Sequence, residues 1–296
     1  MFSPVGNACR LQHHPHTGND GTEQSSGGVA ADAKKSRALT IAEAAGIDGL
    51  RDIPAEVYER GMVEAARLNR PLPSILGDIS GPGLAVTGYI APPPGFTPSA
   101  ALGLGLLSWL STPPTQPPAR FTTRIVVWLP AEATVSPEAA ASWMDSEFRA
   151  AVFRAMNLTD LVERPGVFRP LLGPESHFTD WARPDCPAKT EGRREAYDPA
   201  CSGTLKVMLS DQTAAHLPTL RPPPDALGIS STARGPTPVY PATSGMFRDW
   251  LKQRENLRAL ARELPRVFVI YLPPTPTELP VVLQGQDEWR FIAPQP

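Results

Sequence analysis

The chain of 296 residues is 41% hydrophobic and 20% charged, a composition that is typical of a globular protein and excludes disorder of the whole chain. Its net charge of -2 gives no overall positive field to attract phosphate backbones or an anionic membrane, so we do not expect nucleic acid as a partner. The 36 prolines are more than twice the usual share of about 5%, which favours one loop-rich domain over two compact ones.

Residues 1–38 form the first predicted segment, a leader containing Gly, Ser, Asn, Asp and His. The leader shows no hydrophobic periodicity, so we expect it to be disordered. Residues 1–8 lack the positive charge and the apolar stretch of a secretory signal. The Ala8-Cys9 pair and the polar segment after it nevertheless resemble the flexible tether of bacterial lipoproteins, without the leucine-rich half of the lipobox. This resemblance implies lipid attachment at Cys9 if translation starts upstream of Met1, and the alternative is an incidental cysteine.

Residues 39–118 are predicted to form a helical and proline-rich N-terminal extension. Thr40 and Glu43 match a capping box, and Gly46 is placed to end a short helix. A second helix is expected from Pro54 to about Asn69, and its apolar side consists of Val57, Tyr58, Met62, Ala65 and Ala66.

The rest of this extension contains too many prolines and glycines for long elements, although a strand at 84–90 is a candidate. The apolar stretch at 100–110 is shorter than the roughly 18 residues that a membrane-spanning helix needs. We therefore expect no transmembrane helix. The stretch is predicted to be a buried segment or, alternatively, one that docks on a partner or on a membrane surface.

Residues 119–296 are predicted to form an α+β domain around two similar strands, at 124–129 and 266–272. Both are runs of β-branched and aromatic residues that end at a proline. A helix after Ser136 follows the first strand, and its apolar face consists of Met144, Phe148, Ala151, Val152 and Ala155. A helix from Ser244 to Leu264 precedes the second strand. Because the order of helix and strand is reversed, we interpret the two strands as central neighbours in one sheet and not as a duplication.

A short strand at 204–209 and a hairpin at 280–292 complete the predicted elements. The fold class is therefore α+β, with a mostly antiparallel sheet of about five strands, two long amphipathic helices packed on one face, and proline-rich irregular segments.

Residues 160–203 are predicted to be an irregular excursion from this domain, and they contain Cys186 and Cys201. Prolines and glycines between the two cysteines could bring them together. In an oxidising compartment we expect a disulfide, whereas in a reducing cytosol we expect free thiols.

A metal site is a weaker interpretation of the same region. His177, Cys186, Cys201 and His216 are ligand types that zinc accepts, but they lack the close pairs of structural zinc sites. We therefore predict no metal and no cofactor.

Catalytic motifs are absent from the sequence: it contains no Gly-x-Ser-x-Gly elbow, His-Glu-x-x-His, phosphate-binding glycine loop or Cys-x-x-Cys pair. Nucleophilic catalysis needs a nucleophile, a base and an orienting acid. The chain offers these types in His177, in Asp180 or Asp185, and in Ser202 or Ser210. Such combinations arise by chance in a chain of this length, so the catalytic residues stay unknown.

The leading hypothesis is a non-enzymatic interaction protein that is exported or associated with the bacterial envelope. It predicts a periplasmic or envelope location in preference to the cytoplasm, a protein partner, and peripheral or lipid-tethered association with a membrane. The alternative is a cytosolic enzyme of unrecognised type, such as a hydrolase, with its site within residues 160–216.

Overall fold

The computed structural model describes residues 35–80, 119–168, 176–191, 194–208 and 220–294. All of them belong to one structural unit, Lys34–Pro296. The leader with Cys9, the candidate strand at 84–90 and the apolar stretch at 100–110 lie outside the described residues. The expectations for them, and the boundaries of the three predicted segments, stay predictions.

Every described range contains helices or strands. The described α-helices are α1 (Arg37–Ala44), α2 (Ala55–Leu68), α3 (Leu72–Ser80), α4 (Pro137–Ala155), α5 (Gly245–Leu251) and α6 (Arg254–Glu263). The described strands are β1 (Arg124–Leu129), β2 (Val162–Phe168), β3 (Ser176–Ala182), β4 (Ala188–Glu191), β5 (Arg194–Tyr197), β6 (Ser202–Gly203), β7 (Leu205–Met208), β8 (Arg234–Pro238), β9 (Tyr240–Thr243), β10 (Phe268–Leu272), β11 (Val281–Gln284) and β12 (Asp287–Arg290).

The central sheet has five antiparallel strands in the order β12-β11-β10-β1-β8. The two similar strands, β1 and β10, are neighbours, with Ile125 opposite Ile270. The hairpin of β11 and β12 turns at Gly285, whose φ of 58° is in the region that favours glycine. The predicted fold class is therefore confirmed, including the adjacent placement of the two similar strands.

One face of the central sheet packs against α4, α5 and α6. Helix α4 begins where the sequence predicts, because the Ser136 side chain accepts a hydrogen bond from the Ala139 N–H at 3.1 Å. The core on this face is completely apolar in its centre and contains Ile125, Val127, Leu129, Met144, Phe148, Val152, Phe247, Leu260, Phe268 and Ile270.

Helix α1 covers the opposite face of the sheet, which the sequence does not predict. Its buried side packs with Val126, Trp128, Val269 and Tyr271. The helix starts three residues earlier than the predicted capping box, because Ser36 and not Thr40 accepts the hydrogen bond from the first turn, at 3.0 Å from the Leu39 N–H. Both faces of β1 and β10 are consequently buried.

Two details of the predicted helices are wrong. The expected single helix from Ser244 to Leu264 is interrupted between α5 and α6, where the Asn256 side chain donates to the Trp250 carbonyl at 2.9 Å and so satisfies the end of α5. In α2, Met62 lies on the predicted apolar side but is 45% exposed.

A second five-stranded sheet, in the order β4-β5-β2-β3-β6, occupies the region where the sequence predicts an irregular excursion. Its main pair is β2 with β3, in register from Val162 opposite Ala182 to Phe168 opposite Ser176. The sequence does not predict these strands because they are rich in polar residues, and β2 contains Pro165 and Gly166. The predicted strand at 204–209 corresponds to β7, which pairs with β9 in a separate two-stranded ribbon.

Replacing Phe148 by Ala should test the core between α4 and the sheet. Because this side chain is fully buried, the substitution Phe148→Ala should lower the free energy of unfolding by about 3–5 kcal/mol through lost burial and a new cavity. Ser146→Ala, at an exposed position of the same helix, is the matched control and should change it by less than about 0.5 kcal/mol. Denaturant unfolding measures both, and equal effects would contradict this description of the core.

Candidate functional site

Cys186 and Cys201, for which the sequence predicts a disulfide in an oxidising compartment, are joined by a disulfide in the second sheet. Cys186 lies in the turn between β3 and β4, and Cys201 directly precedes β6, with a Cα–Cα distance of 5.7 Å. This distance is within the usual range for a disulfide. A backbone hydrogen bond lies next to the disulfide: the Arg183 N–H donates to the Cys201 carbonyl at 3.0 Å. The disulfide therefore links the chain on both sides of the pairing between β3 and β6.

Few apolar side chains are buried in the part of the second sheet whose side chains the structure describes. Among its described residues, the apolar side chains that are buried are those of Ala182 and Cys186. The half-buried Trp181 packs on the main core instead, edge-on to Phe153 with ring centroids 5.2 Å apart. A sheet with so small a core depends on other stabilising interactions, and the disulfide is one of them.

Two polar residues that the sequence singles out, Asp180 and Ser202, are both 1% exposed. Asp180 accepts a hydrogen bond from the Thr204 hydroxyl at 2.8 Å. Ser244 donates to the same hydroxyl at 3.0 Å and accepts from the Thr204 N–H at 2.9 Å. Ser202 instead donates to the Asp198 carbonyl at 2.9 Å. Asp180 and Ser202 thus each take part in a hydrogen bond of the fold.

The chain of Asp180, Thr204 and Ser244 lies where the second sheet meets the start of α5. The backbones approach closely there, because a Cβ on Gly203 would overlap the Ser244 carbonyl and one on Gly245 would overlap the Ser202 carbonyl. Gly245 also has a φ of 53°, which favours glycine. These partly buried hydrogen bonds therefore connect the second sheet to the helical layer.

The other predicted residues are distributed over the fold. His177 lies in β3 opposite Val167, and Asp185 is exposed in the following turn. Ser210 and His216 lie outside the described residues. In the part of the chain that the structure describes, no three His, Cys, Asp or Glu side chains form a group that could hold a metal ion.

A groove of about 380 Å³ opens between the start of β1, the connection from β8 to β9, and the helices α5 and α6. Its apolar wall includes Ile125, Val239, Leu251 and Leu257. Its polar part is the segment from Thr122 to Arg124. Sequence reasoning missed this groove because its walls come from separate parts of the chain.

Three arginines lie around Tyr271, at the end of the sheet where β1 begins. The Tyr271 hydroxyl donates to the Arg120 carbonyl at 2.8 Å. Burial raises the pKa of Tyr271 above its ordinary range, while the nearby charges of Arg254 and Arg120 act in the opposite direction. Arg124 is the direct cross-strand neighbour of Tyr271. Because Tyr271 packs in the core under α1, Arg124 belongs to that face of the sheet and not to the face of Ile125.

No family model, no curated protein and no solved structure matches the chain. None of the described helices is long and apolar enough to cross a membrane.

The buried hydrogen bonds at the start of α5 can be tested with Thr204→Val. The substitution keeps the side-chain shape but removes the hydroxyl that bonds Asp180 and Ser244, so the free energy of unfolding should fall by about 1–3 kcal/mol. Thr159→Val, at an exposed position after α4, should change it by less than about 0.5 kcal/mol. If urea unfolding gives the same value for both variants, these hydrogen bonds do not stabilise the fold.

The buried tyrosine predicts a pH dependence of stability. Because the pKa of Tyr271 is raised in the folded state, its contribution is complete below the unfolded value of about 10 and is lost as the pH rises above it. Between the unfolded and folded pKa values, wild-type protein should therefore lose up to about 1.4 kcal/mol per pH unit more than Tyr271→Phe. Tyr240→Phe, at an exposed position, should retain the wild-type slope. Parallel slopes for wild type and Tyr271→Phe in urea unfolding at pH 9–11 would refute the expectation.

Proposed function

We propose that the chain is a non-enzymatic interaction protein of the bacterial cell envelope or of the extracellular space. The observation that carries the proposal is the Cys186–Cys201 disulfide. Bridges of this kind form and persist in oxidising compartments and are rare where glutathione and thioredoxin keep thiols reduced. A lipid on Cys9 would tether such a protein to a membrane, with the folded domain available to a partner.

The position of the bridge supports an oxidising location, because the second sheet needs it. The two cysteines are separated by 15 positions, and closing a loop of that length stabilises a fold by about 3 kcal/mol in the chain-entropy model. With only Ala182 and Cys186 among the buried apolar side chains of the described part of this sheet, burial supplies little to replace that contribution. A reducing cytosol would remove the bridge from a sheet whose described side chains include few buried apolar ones.

Binding, as opposed to catalysis, is supported by the apolar surface around the groove. Tyr240 lines the groove, and its register partner in the ribbon is Met208. These side chains are 44% and 51% exposed, and adjacent exposed apolar side chains are a feature of surfaces that bind other proteins. Aromatic residues and methionines are enriched in protein interfaces.

The cytosolic enzyme with a site at 160–216 stays the alternative hypothesis. Of its candidates, Asp180 accepts a hydrogen bond from the Thr204 hydroxyl and Ser202 donates one to the Asp198 carbonyl. Both contacts are accounted for by a role in holding the fold together.

Counting thiols on the full chain isolated from its native compartment tests the proposal. Alkylation under denaturing, non-reducing conditions should leave Cys186 and Cys201 unmodified, and a non-reduced digest should contain a peptide pair linked through them. The same sample treated with a reductant first is the control and should be alkylated at both positions. Alkylation of both cysteines without reductant would contradict an exported protein and favour the cytosolic alternative.

A further inference from the structure

We propose that the three arginines around Tyr271 form a binding site for a phosphate group. Arg120 belongs to the short 3-10 helix Ala119–Phe121, Arg124 is the first residue of β1, and Arg254 is the first residue of α6. The phosphate is either free in solution or carried by a lipid headgroup. The inference goes beyond the proposed function, because it assigns a ligand to side chains that lie apart from the apolar wall of the groove.

The positions of the three arginines bring their charges together near Tyr271. Arg124 is the cross-strand partner of Tyr271, so the two side chains lie on the same face of the sheet. The Tyr271 hydroxyl donates to the backbone carbonyl of Arg120 at 2.8 Å. Burial raises the pKa of Tyr271 and the charges of Arg254 and Arg120 oppose that rise, so both guanidinium groups are close enough to act on the hydroxyl. Three separate elements therefore supply positive charge to one end of the sheet.

Each of the three arginines has a buried N–H group without an acceptor. The atoms are Nε of Arg120, Nε of Arg124 and Nη2 of Arg254, and they are half of the six such side-chain atoms in the described residues. Burying a charged donor without an acceptor is costly, so this concentration of donors points to an acceptor that comes from outside the fold. The three residues are only partly buried, which leaves the cluster accessible from solvent.

The carboxylates beside Arg254 are already paired. Glu278 accepts hydrogen bonds from Arg254 at 2.7 Å and from Arg258 at 3.1 Å, and Glu288 accepts one from Arg258 at 3.0 Å. Two carboxylates therefore balance two guanidinium groups, and this network has no negative charge left for the other arginines of the cluster.

Arg120 and Arg124 supply the excess positive charge. Among the described residues neither makes an ion pair, and the Arg120 guanidinium lies over the Phe121 ring, 4.9 Å from its centroid. The two unbalanced charges match a phosphate monoester, which carries about -1.5 to -2 at neutral pH. Its oxygens point in tetrahedral directions and can accept from guanidinium groups that come from different elements, whereas a carboxylate has two oxygens in one plane. These features favour a phosphate over a carboxylate.

Thermal unfolding of the oxidised full chain tests the inference with sodium phosphate as the probe. At about 10 mM, phosphate should raise Tm by about 3 °C or more, because a ligand that binds the folded state stabilises it. Sodium chloride at the same ionic strength is the control for charge screening and should change Tm by less than about 1 °C. Isothermal titration calorimetry then gives the dissociation constant for phosphate.

Variants of the same chain locate the site. Arg124→Met and Arg120→Met should each weaken phosphate binding about tenfold, as for the loss of a charge-assisted hydrogen bond. Arg262→Met, at an exposed position near the end of α6, should leave it unchanged. Without phosphate, Arg124→Met should unfold at the wild-type temperature or above it, because the substitution removes a buried donor that has no acceptor. An arginine with a purely structural role would instead lose stability on this substitution with and without phosphate.

Vesicles distinguish the two sources of the phosphate. Phosphatidic acid presents a phosphate monoester on a lipid, and vesicles contain it with phosphatidylcholine in a ratio of about 1:4. If the source is a headgroup, wild-type protein should sediment with these vesicles but not with pure phosphatidylcholine, and Arg124→Met should stay in solution. Binding of phosphate without sedimentation assigns the site to free phosphate.

Three results would overturn the inference. They are equal Tm values in phosphate and in sodium chloride, equal phosphate binding by wild-type protein and Arg124→Met, and a loss of stability or of folding in Arg124→Met without phosphate. The last result would show that Arg124 already has its partner within the fold.

Discussion

The antiparallel pairing of β1 with β10 is the constraint on which the rest of the structure depends. Along β1, Ile125, Val127 and Leu129 face the core under α4, α5 and α6, while Val126 and Trp128 face the core under α1. The two strands therefore supply both cores at once. Because side chains alternate along a strand, a shift of one residue in this pairing would exchange the residues of the two faces and disrupt both cores.

The parts of the fold that the sequence predicts are those whose signals are local. Ser136 followed by Pro137 defines the start of α4, and the apolar residues up to Val152 repeat with the helical period. The second sheet lacks such signals, because in a strand such as β2 the charged Glu163 and Arg164 are followed by Pro165 and Gly166, and the strand is paired with β3 along its length. The interruption between α5 and α6 also has no local sequence signal, since neither Lys252 nor Gln253 is a helix breaker. The hydrogen bond to the Trp250 carbonyl at the end of α5 comes from the Asn256 side chain.

Of the candidate functional features, the sequence predicts the disulfide but not the groove. A disulfide between Cys186 and Cys201 could be anticipated from the sequence, because two cysteines in one proline-containing segment leave few other pairings. The groove could not, since Ile125 and Leu257 are far apart in the sequence and become neighbours only through the fold. In the sequence, Ile125 is simply one of several apolar residues of a strand.

The disulfide and the groove belong to parts of the molecule that are stabilised differently. The groove is built from β1, the connection after β8, and the two helices that follow β9, all of which pack on the main core. The second sheet is joined to that core through Trp181 and through the hydrogen bonds of Asp180, Thr204 and Ser244. Opening the bridge would weaken the second sheet while leaving the walls of the groove in place, since no residue that lines the groove belongs to that sheet.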